Sequence, residues 1–328
     1  MYRVEIIEEQ EKWNQVVSGS CNPNVFGLFE WGKFKESSWI VNRVAVYKND
    51  SLQGATQILL KKAPGVIFGW AASGVFVTNY KHLEIVIEKI REHYAAKALF
   101  HYLRFNFCEN STGDSSFRIR GLDLLKASSN PVNSGFTVRF KLEKAQEIEK
   151  EMSSNNRYYL KKALKENLVF KKENEVNAEA FTSLHNLMTS SKDLQQIEIN
   201  LETISSLKNS LAENLNMFSV YKDEECLSSC LVIRSKKQAF YYLAATSNKG
   251  REVYASFFMI ANLLKELANE GITDFDFSGI TPYDKNAAGV NRFKMGFGGE
   301  VINYLGEWEI SNNWFVSKLF NWLVAKKL

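Results

Sequence analysis

The sequence predicts an α/β (α+β) protein of two tandem units, each a mixed, largely antiparallel sheet flanked by helices. Three observations carry that reading. The 328 residues exceed what one core organises, because chains divide once apolar burial stops growing with size. One order of strands and helix occurs twice along the chain. Finally, 45% hydrophobic residues with 4 prolines and 18 glycines fit packed cores rather than a long low-complexity segment.

Taken in order, residues 1–7 alternate polar and apolar as a strand does. Residues 44–50 alternate into a polar turn, 54–60 lead to the break Lys61-Lys62, and 66–70 follow, which is a strand meander. A helix-period segment at 82–97 and a strand at 100–107 complete the first set. Downstream, 218–224, 228–233, the basic break Lys236-Lys237 and 239–243 repeat the meander, and a helix at 255–268 and a strand at 273–278 repeat the sequel. Tyr47 matches Tyr221, and the offset stays nearly constant onward, as a duplicated unit requires. A helix expected over 155–168 sets the boundary, giving domains 1–148 and 149–328.

Composition removes several function classes. Lysine plus arginine exceed aspartate plus glutamate by 41 to 37, which permits a local anion site but not wholesale nucleic-acid coating. Cys21, Cys108, Cys226 and Cys230 lack CxxC spacing, so reduced structural thiols are expected. The opening residues lack the apolar core of a signal peptide, and no stretch reaches the roughly 20 apolar residues of a spanning helix, which predicts a cytoplasmic location. Hydrolase and nucleotide motifs (GxSxG, HExxH, P-loop, GxGxxG) are missing. His82, His93, His101 and His185 form no ligand pair at helical spacing, so no metal is expected.

The most unusual segment runs from Phe275-Asp276-Phe277-Ser278-Gly279, a strand ending in a small-residue turn, to Asn291-Arg292-Phe293-Lys294-Met295-Gly296-Phe297-Gly298-Gly299. Glycines there allow a ligand to approach the backbone. Lys294, between two phenylalanines, is either a cation directed into a partly apolar cleft, where it stabilises an oxyanion or phosphate, or a lysine snorkelling from a strand edge.

This closing segment, with Tyr304-Leu305-Gly306-Glu307-Trp308, resembles the signature of the Fem (FemABX) family of peptidoglycan interpeptide-bridge aminoacyltransferases. Three further stretches are similar to family motifs in the right order: Phe29-Glu30-Trp31-Gly32-Lys33-Phe34-Lys35; Asn156-Arg157-Tyr158-Tyr159-Leu160-Lys161-Lys162-Ala163; and Tyr241-Tyr242-Leu243-Ala244-Ala245 with Arg251 and Tyr254-Ala255-Ser256. The resemblance spans nearly the whole chain. It implies two GNAT-like acyltransferase domains and transfer of an amino acid from aminoacyl-tRNA to the amine of a UDP- or lipid-linked cell-wall precursor peptide, by a monomer without a cofactor.

By the same resemblance, Lys294 contacts the reacting ester or adjacent phosphate, and Lys35, with Trp31, grips the acceptor diphosphate. Lys192, Tyr242, Tyr254 and Arg251 complete the substrate-binding set. Proton removal rests on Asp276, Glu307 or the substrate itself. Asn106 stands near a place where relatives often carry an acid, Lys192 stands where they carry a basic residue, and the heptad arm of some members is missing. Two alternatives stay open. One is an acyl-CoA-dependent N-acyltransferase, although Ser247-Asn248-Lys249-Gly250-Arg251-Glu252 departs from the QxxGxG turn that holds coenzyme A pyrophosphate. The other is an inactive precursor-binding protein.

Two surface features remain. Arg157, Lys161 and Lys165 recur every four residues, forming either a cradle for an RNA acceptor stem or a solvated face. Trp314, Phe315, Leu319, Phe320, Trp322 and Leu323, with Lys318, Lys326 and Lys327, form an amphipathic helix that either rests on a membrane or packs on its own domain.

Overall fold

A computed structural model describes residues 1–111, 124–190 and 199–326. The chain divides into two compact units, Met1–Phe136 with Ile302–Leu328, and Thr137–Val301. This division falls at 136/137 where the sequence places it at 148/149, and it assigns the last strand and helix to the first unit. The strands are β1 (Tyr2–Ile6), β2 (Ile40–Lys48), β3 (Ser51–Ala63), β4 (Val66–Ala71), β5 (Phe76–Val77), β6 (Phe100–Asn110), β7 (Lys126–Ala127), β8 (Phe136–Lys141), β9 (Val169–Lys172), β10 (Leu215–Lys222), β11 (Glu225–Arg234), β12 (Gln238–Thr246), β13 (Asp274–Ile280) and β14 (Glu300–Ser311).

In the first unit β1, β2, β3 and β4 pair antiparallel in turn, and β4 then pairs parallel with β6. A parallel neighbour needs a crossover, and the helix Leu83–Ala95 supplies it. Its buried residues Leu83, Val86, Ile87, Ile90 and Tyr94 recur at three- and four-residue steps, so one stripe faces Val44, Ile58, Leu60, Leu103 and Phe105 of the sheet. Each such side chain contributes about 1.5–3 kcal/mol by leaving water. The sheet ends on β14, antiparallel to β6.

The second unit repeats the plan. Strands β10, β11 and β12 form the antiparallel meander, β9 covers the β10 edge, and the helix Ala255–Asn269 crosses to β13, which lies parallel to β12 and beside β8. The duplication extends to a defect: pairing shifts by one residue between Val46 and Tyr47 in one hairpin and between Val220 and Tyr221 in the other. These bulges fall at the two tyrosines that align in sequence, and each precedes a two-residue turn, Asn49-Asp50 and Asp223-Glu224.

The units differ at the parallel pair. All six residues of β4 pair with β6, whereas β12 meets β13 only at Gln238, Ala239 and Phe240, opposite Asp274, Phe275 and Asp276. Beyond these pairs the two strands run on to Thr246 and Ile280.

The short helix Phe29–Lys35 of the first unit carries Trp31 and Lys35. Seven residues are too few to hold a helix unaided. Its start is fixed from beneath: buried Arg43 donates to the Phe29 carbonyl at 3.0 Å and to Gln57 Oε1 at 2.9 Å, Gln57 donates to the Leu28 carbonyl at 3.1 Å, and Trp13 donates to Gly27 at 2.7 Å. Gly32 is required by this approach, since a Cβ there would lie 2.5 Å from Arg43 Nη2. Arg43→Leu strands the Phe29 carbonyl and Gln57. We expect a loss of about 1–3 kcal/mol in urea denaturation, with a drop in Trp31 fluorescence order before global unfolding.

Candidate active site

In β13 the Asp276 carboxylate turns back on its own chain and accepts from the Ser278 backbone N–H at 2.8 Å. Ser278 adopts φ 64°, a left-handed conformation that costs a non-glycine residue about 1–3 kcal/mol and that the capture of its N–H by Asp276 supports. The strand leaves its parallel partner at this kink. Its freed polar groups are then met by Lys294, in the last turn of the helix Ala288–Met295, whose ammonium donates to Ser278 Oγ at 2.9 Å and to the Gly279 carbonyl at 2.7 Å.

Lys294 is only 8% exposed, so it is neither snorkelling nor on a strand edge. Burial pushes its ammonium down to about 8, against a smaller opposing pull from Asp276. Asp276 also accepts from the Thr137 hydroxyl and lies 3.5 Å from Arg139 Nε. With these donors in place it holds charge and geometry around Lys294, which is poor use for a proton acceptor. Thr137, Arg139 and Lys141 alternate along β8, and Lys141 pairs with Asp274, so one face of β8 meets the acids of β13. The Thr-Val-Arg-Phe-Lys alternation was visible in the sequence, but its partners were not.

The glycines after Lys294 do not leave room for a ligand as expected. A Cβ at Gly296 would lie 2.5 Å from the Asn156 side chain, at Gly298 2.4 Å from the Glu151 carbonyl oxygen, and at Gly299 2.8 Å from the Arg139 carbonyl oxygen. The turn is clasped onto the start of the helix Ser154–Ala163: Ser153 N donates to the Gly296 carbonyl and Asn156 Nδ2 to the Phe293 carbonyl. Asn156, buried and singled out in the sequence only as the start of a motif, therefore positions the lysine helix.

From this clasp a run of rings leads outward. Phe297 and Phe293 pack at 5.2 Å, Phe293 and Phe257 at 5.1 Å, Phe257 and Tyr159 at 5.0 Å, and Tyr159 stacks on Tyr254 at 4.9 Å with planes 15° apart. The Lys162 ammonium stands over both Tyr254 and exposed Tyr158, at 5.6 and 4.8 Å. The basic stripe is thereby corrected. Arg157 folds back onto the Met152 carbonyl, Lys165 lies beyond the helix end, and of the expected three only Lys161 is an exposed helical cation.

The other expected residues separate. Trp31 and Lys35 belong to the first unit, where the Lys35 ammonium stands 4.6 Å from the Trp31 ring and 4.7 Å from Phe34, and burial lowers its proton affinity. Glu307 is also there, buried as the partner of Arg104 and accepting from the backbone N–H groups of Val132 and Asn133 and from the Asn133 side chain. A carboxylate so saturated is an anchor, not a base. Arg251 turns onto the Thr246 carbonyl and Asn248, and Gly250 is demanded by the Leu227 carbonyl, 2.3 Å from where a Cβ would sit. That glycine serves packing. Burial raises the Tyr242 hydroxyl, and Asn106 donates to the Ala72 carbonyl within the first unit. Lys192 lies outside the described residues.

Two stability measurements separate these roles. Glu307→Ala leaves Arg104 buried without its partner and should cost about 3–5 kcal/mol in chemical denaturation. Lys294→Met removes a costly buried charge but strands the Gly279 carbonyl and the Ser278 hydroxyl, so its signature is a pH dependence rather than a fixed gain or loss. Because the folded-state affinity of Lys294 lies below the ordinary 10.5, its burial penalty is full below pH 8, fades between 8 and 10.5, and vanishes above. The stability of the variant relative to the parent should therefore fall by about 1–3 kcal/mol between pH 7 and pH 10.

Comparison with known proteins agrees with this architecture. Aminoacyltransferase FemA of Staphylococcus epidermidis is 29% identical over 116 residues, covering 34% of this chain and 26% of that relative's length. A crystal structure of FemX superposes with a TM-score of 0.85 at 17% identity, covering 97% of this chain and 100% of that one. A tandem GNAT protein from the clavulanic acid biosynthesis pathway gives 0.54 at 9% identity, covering 95% and 99%. The profile of the FemAB family matches residues 152–324, more than half of the chain and including Asp276, Ser278 and Lys294, and the chain belongs to that family.

Proposed function

We propose that this protein is a Fem-type aminoacyltransferase, a cytoplasmic monomer that moves an amino acid from aminoacyl-tRNA to the amine of a UDP- or lipid-linked cell-wall precursor peptide. The observation that carries this reading is the buried Lys294 ammonium at the parting of β12 and β13, held by two neutral oxygens beside Asp276. An ammonium has three donors; among the described residues Ser278 and Gly279 take two, and the third is offered to a substrate oxygen.

In the reaction the acceptor amine attacks the ester carbonyl carbon. A C–N bond forms, the carbonyl oxygen becomes an oxyanion, and the Lys294 ammonium stabilises it in a site where water screens little. Collapse breaks the C–O bond and expels the ribose hydroxyl of the tRNA, which takes up the proton released by the amine. Asp276 keeps Lys294 charged against its burial. Lys35 on Trp31 is suited to the acceptor diphosphate as a partly buried cation, and Tyr158, Tyr254, Lys161 and Lys162 to the RNA backbone and bases. Kinship with an aminoacyltransferase, FemA, supports the activity. The acyl-CoA reading loses ground, since Gly250 is consumed by packing.

The test supplies the purified protein with a charged tRNA pool and a UDP-linked peptide precursor and follows the acceptor by mass spectrometry. An added aminoacyl mass that requires tRNA and falls at least about a hundredfold in Lys294→Met is expected. Product formed from acyl-CoA donors, or precursor binding without product, would replace the proposal. The rate should also fall above about pH 8 as Lys294 loses its proton, and Lys294→Arg should remove that limb.

A further inference from the structure

The helix Trp314–Ala325 is amphipathic in an inverted sense. Its inward face is pinned by polar contacts: Ser317 Oγ and Asn321 Nδ2 donate to Glu309, itself 4% exposed and also bound by the Tyr102 hydroxyl at 2.6 Å. Val316 and Phe320 pack beside them on Phe68 and Tyr102. This register turns the larger apolar residues outward. Trp314 is 69% exposed, Phe315 67%, Trp322 52%, Leu319 42% and Leu323 40%.

The outward face carries cations in a regular place. Lys318 stands 4.1 Å over Trp314 and Lys326 4.1 Å over Trp322, each four residues on, and residues 310–326 contain no Asp or Glu. We infer that this face lies in the plane of an anionic lipid bilayer, with the tryptophans, Phe315 and the leucines seated among acyl chains and the two lysines at the phosphate level. Twelve residues span about 18 Å, too short to cross the hydrocarbon, so the helix rests on the surface. A protein groove would have to neutralise two fixed ammonium groups one by one. A bilayer of anionic headgroups supplies phosphate wherever they fall. The inference is independent of the transfer reaction and of its donor.

Sedimentation of the full chain with vesicles of equimolar phosphatidylglycerol and phosphatidylcholine tests it. Binding is expected with a blue shift of tryptophan emission, roughly tenfold to thirtyfold weaker on phosphatidylcholine alone and for Lys318→Ser/Lys326→Ser. The exposed double variant Trp314→Ser/Trp322→Ser should keep the parent melting temperature and lose vesicle binding. Failure of the parent chain to sediment, or equal sedimentation of the tryptophan variant, overturns the inference. Sedimentation-velocity dimerisation abolished by that variant, without vesicle binding, assigns the face to a second copy and overturns it as well.

Discussion

The site rests on one departure from regular sheet structure: two parallel strands that stop pairing after three residue pairs. A backbone released from a ladder must find other partners, because an unpaired buried polar group costs as much as a lost hydrogen bond. Here Asp276 takes the Ser278 N–H and Lys294 takes the Gly279 carbonyl and the Ser278 hydroxyl. The same bonds that repair the strand hold a cation in a place of low solvent screening. On the proposed reading, stability and chemistry compete over Lys294, whose charge is costly to bury and whose position is useful for that reason.

The duplicated plan makes the departure legible. In the first unit the equivalent strands β4 and β6 stay paired along the whole of β4, and aromatic and aliphatic side chains fill the layer above them. That unit instead spends its polar groups on anchors. Arg43 with Gln57 props the helix bearing Lys35, and Arg104 with Glu307 ties the last strand to the loop around Val132 and Asn133. One copy of the plan is zipped and supports; the other is parted and carries the lysine.

Glu307 and Glu309, two residues apart on β14 and so on one face of it, show how a buried acid organises what lies above it. Glu307 satisfies an arginine and a loop. Glu309 fixes the rotation of the C-terminal helix through Ser317 and Asn321, and this polar register, opposed to the hydrophobic one, leaves two tryptophans outside. Directional hydrogen bonds to a buried charge outweigh a non-directional preference that a surface can satisfy elsewhere.

Local pattern alone determined the meanders, both crossover helices and the duplication, because alternation, helical spacing and turn residues act over a few positions; it marked the segment around Lys294 but not the helix that carries it. Even the paired bulges were foreshadowed by the match of Tyr47 with Tyr221. Tertiary structure decided everything that depends on a distant partner. The glycines after Lys294 read as ligand space and prove to be contacts with Asn156, Glu151 and Arg139. Arg157 and Lys165 read as one helical stripe, yet a carbonyl takes Arg157 and Lys165, though exposed, lies past the helix end. Glu307 read as an acid-base residue until Arg104, some two hundred positions away, claimed it. A side chain's chemistry is written in the sequence, but whether its charge is spent or available depends on which groups folding brings within 3 Å of it.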